Sequence, residues 1–179
     1  MLTLEECLKD VKYIKEVTLV ELSDKLWELG TLEKIKEEVS PELFTLHVGM
    51  NMIGNWKGSG WWGVISEHAK LVPFVADTLE DFGLPALKTA FENVISCFPE
   101  DTIFSNDDTY CDTINFLQNV RFKVSNEKLN TISIEKRKEM VNNIHRYLEE
   151  LEQLTEPLWG YSGENNGWKT VLDFISAHK

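Results

Sequence analysis

Cysteine is scarce in this chain of 179 residues: Cys7, Cys97 and Cys111 are the whole supply. The count is odd and no pair stands in a CxxC pattern, which argues against a disulfide framework. The expectation is three reduced thiols, with Cys7 and Cys97 on apolar helix faces; a metal or redox role is the alternative. Long apolar runs are missing too, and none approaches the ~20 residues of a membrane-spanning helix. The opening MLTLEECLKD has no positive start, no apolar stretch and no small-residue cleavage site, so it does not read as a secretory signal. These absences predict a cytoplasmic protein that does not engage a membrane. Catalytic signatures are also absent. There is no HExxH, GxSxG, GxGxxG or Walker loop, and His47, His68, His145 and His178 lie far apart. The sequence therefore offers no catalytic residue and no cofactor or metal site.

Basic residues are lacking where acidic ones gather. The chain carries 30 acidic and 18 basic residues, for a net charge of −12. Residues 61–120 hold 10 acids against 2 bases, Lys70 and Lys88, while residues 121–146 are net +4. Direct binding of nucleic acid needs a basic patch. Only 121–146 could supply one, against the field of the whole molecule. The complementary partner of an acidic surface is basic: a cationic protein face, or a metal ion.

What the sequence has in abundance is helix signal. Thr3 with Glu6 forms a capping box before a stripe of Leu4, Cys7, Leu8, Val11 and Ile14. Thr18 with Glu21 suggests a second box, opening the stripe Leu19, Leu22, Leu26, Leu29 before Gly30. A third helix spans 31–39. Ser40-Pro41 starts a fourth that should stop at Gly54. Residues 54–63, GNWKGSGWWG, contain four glycines and three tryptophans and are expected to break the helix. A helix through Ile65, Val72, Val75 and Leu79 should kink at Pro73. Another runs from Pro85 to before Pro99. A loop at 99–108 leads to a helix capped by Asp108 or Thr109 and reaching Val120. Residues 121–132 are ambiguous and could be extended. Ser133 opens the longest helix, with Val141, Ile144, Leu148 and Leu151 buried and Pro157 ending it. A second loop, LWGYSGENNGW, precedes a last helix from Trp168 to Ala177. The fold class predicted is all-α: a single-domain, multi-helix bundle over 1–179 with irregular Trp/Gly loops, in which 1–40 could form a subdomain.

Two kinds of surface are candidate sites. The first is carboxylate: Glu100, Asp101, Asp107, Asp108 and Asp112 in the loop and following helix, with Glu149, Glu152 and Glu156 in a row on the long helix. The loop fails the calcium-loop test, lacking the D-x-D-x-D-G order and closing glutamate. The acids are either a solvated surface and helix cap, or docking points for a basic partner. The second is aromatic: Trp56, Trp61 and Trp62 in the first Trp/Gly loop, with Trp159, Tyr161 and Trp168 at the other. Such rings either plug the core between helices or form a binding patch.

Residues 41–99 also have a recognisable layout. The helix PELFTLHVGMNMIG leads into GNWKGSGWWG; then come AKLVPFVADTLEDFG and LPALKTAFENVISCFP. This resembles the bacterial DNA-mimic-protein-like family of small acidic helical proteins. In that family an Asn-Gly-Gly-aromatic loop precedes a helix, a glycine and a helix closing on Phe-Pro. Here GSGWW stands at that loop. The resemblance covers about a third of the chain and, loosely, LDFISAHK at its end. It implies a helical fold, often a homodimer, whose acidic surface occupies a DNA-binding protein, with no catalytic residues to carry over. The functional expectation is a non-catalytic interaction or regulatory protein that binds a basic protein surface. A DNA mimic and a toxin-neutralising immunity protein are both versions of it. The alternative is a small-molecule or enzymatic pocket at the Trp/Gly loops.

Overall fold

The computed structural model describes residues 1–105, 107–163 and 167–179. Among them are ten α-helices: α1 (Leu4–Leu8), α2 (Glu16–Trp27), α3 (Leu32–Glu38), α4 (Pro41–Glu67), α5 (Val72–Asp81), α6 (Pro85–Ile95), α7 (Asp108–Gln118), α8 (Glu127–Asn130), α9 (Ile134–Trp159) and α10 (Trp168–His178). A 3-10 turn at Ala69–Leu71 joins α4 to α5. No strand occurs among the described residues; a lone parallel bridge ties Leu2 to Val39. The protein is all-α.

Local chemistry explains most helix starts. The side chains of Thr3, Thr31, Ser40, Asp107, Asn126 and Ser133 each accept a backbone N–H from the first turn that follows, satisfying a donor the helix cannot. One core cluster runs from Leu4 and Leu8 through Leu43, Trp61 and Phe91 to Trp159 and Ile175. The centre of the bundle is α4. Every residue from Leu43 to Met50 is buried, the pattern of a helix surrounded by neighbours. Gly49 allows one of these approaches, since a Cβ there would stand 2.1 Å from the Phe82 ring. On α9, Val141, Ile144 and Leu151 are buried, as the 3-4 spacing predicts; Leu148, expected to be buried with them, packs against the core only half-buried.

Several expectations need correction. Helix α2 begins at Glu16 with Lys15 at the cap, so Thr18 lies inside the helix and caps nothing. Helix α1 stops at Leu8; Val11 and Ile14 meet the core from the segment beyond it. Asp107, not Asp108 or Thr109, caps α7, which ends at Gln118. Residues 121–132 hold the short helix α8, not a strand. Pro73 starts α5 rather than kinking a longer helix. Pro157 sits in the last turn of α9, which continues to the fully buried Trp159. Helix α10 reaches His178.

The expected break in GNWKGSGWWG occurs, but its place and extent differ: helix α4 does not stop at Gly54, and it departs from helical geometry only at Gly60, where φ is 67° and ψ −176°, before a second part that runs to Glu67. Glycines in a helix cost about 1 kcal/mol each. Burying an aromatic ring returns more, about 1.5–3 kcal/mol, and Trp56 and Trp61 continue the buried stripe of Leu46, Met50 and Ile53. With 27 residues, α4 outspans the 26 of α9, although α9 is the longest helix without a break.

Candidate interaction groove and the Glu152 clamp

The aromatic candidates lie mainly in the core. Trp61 is fully buried, and its indole N–H donates to Thr155 Oγ1 at 2.7 Å. That hydroxyl in turn donates to the Leu151 carbonyl at 2.7 Å. Trp159 is also fully buried, with ring centroids 5.7 Å from Trp61 and 5.8 Å from Trp56. Trp56 is buried and Trp62 half-buried against the core. The Trp56 and Trp61 rings hold α4 to α9: Trp61 is sealed in the core, while Trp56, nearly buried, also borders a small cleft. At the second loop Trp168 is half-buried and Tyr161 is 84% exposed, its ring 5.2 Å below the Lys57 ammonium. Residues 164–166 of that loop lie outside the described residues.

The acidic candidates divide into three groups. Glu152 is one of the fasteners of the α4 break. Its Oε2 accepts the Trp56 indole N–H at 2.7 Å and its Oε1 accepts the Trp61 backbone N–H at 2.6 Å. The turn at Gly60 frees that amide at the start of the second part of α4, and an anion at a helix N-terminus satisfies both the donor and the dipole. Glu152 is thus not a free carboxylate for a partner. Asp107 and Asp112 are also engaged. Asp107 Oδ1 accepts the Tyr110 amide at 2.9 Å, and that hydrogen bond lowers the Asp107 pKa below its ordinary value. Asp112 Oδ2 accepts the amides of Ser125 and Asn126 at 2.8 and 2.7 Å, pinning the approach to α8. The remaining candidates, Glu100, Asp101, Asp108, Glu149 and Glu156, are exposed.

The two acidic stretches do not form one face. A groove of about 1030 Å³ is lined on one side by 96–103, including Glu100 and Asp101, and on the other by Lys136, Glu139, Met140, Asn143 and Tyr147 of α9. At about 100° per residue, those α9 positions share one side of the helix, and 149, 152 and 156 lie roughly half a turn around it. Glu152 and Glu156 instead line a separate cleft of about 270 Å³ beside Trp56, Gly60 and Trp159. The expectation of a joint surface across both stretches is corrected by this helical phase.

The groove has an apolar floor and a charged rim. Phe98, Leu129, Ile132, Met140 and Tyr147 contribute apolar surface, and Ile103 stands 76% exposed at its edge. Among the described residues that line it are five acids, Glu100, Asp101, Asp107, Glu127 and Glu139, and two lysines, Lys128 and Lys136. The Lys128–Asp101 contact, at 3.7 Å between side chains 84% and 87% exposed, is too solvated to fix either group. The acidic loop itself is held in place. Phe104 packs on Phe98 and Tyr110 with centroids 5.4 and 5.8 Å apart, and the Tyr110 hydroxyl donates to the Ile65 carbonyl at 2.6 Å. Burial raises the Tyr110 pKa. The Arg137 guanidinium closes the far end of α7, donating to the carbonyls of Phe116, Asn119 and Phe122 at 3.0, 3.0 and 2.9 Å.

The residues that build the groove from 126–147 escaped the sequence reading, which placed no site there. The net +4 of 121–146 masked them, although Arg137 spends its charge on carbonyls and Glu127 and Glu139 face the acidic loop. The three cysteines are free, with Cys97 buried, Cys7 half-buried and Cys111 exposed; burial raises the pKa of Cys97 and Cys7. No group of three or more His, Cys, Asp or Glu among the described residues could hold a metal ion, and none of the described helices is long and apolar enough to cross a membrane. No family model, curated protein or solved structure matches the chain. The likeness to the DNA-mimic-protein-like family therefore rests on the residues quoted for it.

Proposed function

We propose that this chain is a non-catalytic acidic interaction protein whose partner presents a basic protein surface, engaged at the groove between the 99–103 segment, α8 and α9. One observation carries this reading: five rim carboxylates against two lysines around an apolar floor, on a loop anchored by Phe98, Phe104 and Tyr110. Charge of one sign on a fixed scaffold steers an oppositely charged partner and selects against acidic ones. A DNA-binding protein and a cationic toxin both offer such a face, so DNA mimicry and toxin neutralisation are two uses of the same chemistry. Around the rings of the first Trp/Gly loop, the pocket reading keeps only the small cleft of about 270 Å³ beside Trp56 and Trp159, since Trp61 is packed in the core.

The test is capture of the partner from the cell of origin on the immobilised chain, at low and at high salt. The reading expects a basic protein retained at low salt and released as screening shortens the Debye length below about 10 Å. A retained partner that is acidic, or whose binding ignores salt, overturns it.

A further inference from the structure

We infer that a second cleft, between α2 and the middle of α4 with Trp168 at its edge, binds a compact organic cation carrying an alkylated ammonium group. This cleft shares no lining residue with the acidic groove, so the inference stands apart from the reading given for that groove. The cleft holds about 250 Å³. At ~30 Å³ per water this is far more than a bare ion fills, and it lies below the roughly 300–1,000 Å³ of sites for drug-sized ligands. The lining includes two carboxylates, Glu16 and Asp24, and no Lys, Arg or His among the described residues. Both acids are exposed, and they stand on one side of α2, four residues either way from Val20. No group of three or more metal-binding side chains occurs among the described residues, so the charge does not mark a metal site.

Two indoles, Trp27 and Trp168, join these acids in the lining. Among aromatic side chains tryptophan attracts a cation most strongly, and an alkylated ammonium adds apolar contact to that attraction. The Trp27 ring is set before any ligand arrives. It is 40% exposed, yet its indole N–H donates to Asn51 Oδ1 at 3.2 Å and its ring meets that of His47 with centroids 4.7 Å apart. Asn51 is held in turn, its amide donating to Ser23 Oγ at 3.0 Å and to the His47 carbonyl at 2.8 Å. A ring fixed in this way loses little freedom on binding. Burial lowers the His47 pKa to about 4, so at neutral pH the ring against Trp27 adds no opposing charge.

Calorimetric titration of the full chain with choline, and with the neutral isostere in which carbon replaces its nitrogen, tests the inference. Choline should bind saturably and about tenfold more tightly than the isostere. The exposed pair Glu16→Gln/Asp24→Asn should weaken choline by about threefold or more without moving the thermal unfolding midpoint. Trp27→Leu should abolish the preference for choline over the isostere. Glu100→Lys/Asp101→Lys, in the separate groove, should leave choline binding unchanged. A peptide bearing trimethyl-lysine identifies the source of the cation: tighter binding than choline places the ammonium on a partner's side chain, and weaker binding on a free molecule. Equal binding of choline and the isostere overturns the inference, as does saturable binding of neither choline nor the peptide. Equal loss in the groove variant and the Glu16/Asp24 variant also overturns it, since it reduces the effect to the general field of an acidic protein.

Discussion

Replacing Glu152 by alanine removes the acceptors of the Trp56 indole N–H and the Trp61 amide together. A hydrogen bond to a charged group contributes about 1.5–3 kcal/mol, and a buried donor left without a partner costs about 1–3 kcal/mol. Both tryptophans are buried but Glu152 is only half-buried, so water can reach part of the vacated space. The expected loss is therefore about 2–4 kcal/mol rather than the sum of both extremes. For a domain of this size that lowers the unfolding midpoint by about 4–16 °C. Glu152→Gln keeps one oxygen acceptor and should lose roughly half as much. Glu149, one turn earlier and exposed, is the control: Glu149→Ala should stay within about 0.5 kcal/mol. Thermal unfolding followed by circular dichroism, with tryptophan emission recorded in parallel, measures all three. Equal, negligible shifts for Glu152→Ala and Glu149→Ala would refute the clamp.

Gly60→Ala attacks the same junction from the other side. Its φ of 67° with ψ −176° is a glycine conformation, and the new Cβ would stand 2.7 Å from Glu152 Oε1. Such strain costs about 1–3 kcal/mol, read from denaturant unfolding. Leu151→Ala, at a fully buried position, should cost about 2–5 kcal/mol by the same assay, and the half-buried Leu148→Ala less. His47 predicts acid sensitivity. Its ring is fully buried, Nε2 has no hydrogen-bond partner, and burial lowers its pKa from 6.5 to about 4. The unfolded chain binds the proton first, so stability is intact above pH 6.5 and falls as pH drops towards 4. The loss amounts to about 3 kcal/mol at the acid end. A His47→Gln variant should show a flatter stability profile over that window, and an unchanged slope would contradict the assignment.

What could be read from the sequence was local. The caps Thr3, Ser40 and Ser133, and most of the buried seam of α9, depend on neighbours three or four residues away. What escaped depended on distant partners. The glycines of 54–63 argued for a loop, yet the break is confined to Gly60, and contacts from Trp61 to Phe91, Thr155 and Trp159 hold the helix on its far side. Glu152 looked like one member of an exposed row because its partners lie 91 and 96 residues away. The acidic loop was visible as charge, but its groove was not. The apolar floor is assembled from three segments, around Phe98, Leu129 and Met140, that only the fold brings together.

The central claim is that a basic protein docks on the acidic rim of this groove rather than on the carboxylate row behind α9. The most direct measurement compares affinity for the captured partner between two charge-reversed chains, Glu100→Lys/Asp101→Lys and Glu149→Lys/Glu156→Lys, by calorimetric titration at fixed salt. All four residues are exposed, so both chains should remain folded. The account predicts that the rim reversal weakens binding by about tenfold or more, while the α9 reversal leaves it within about twofold. Unchanged affinity of the rim variant, with loss in the α9 variant, would contradict it and move the interface to the opposite side of the helix.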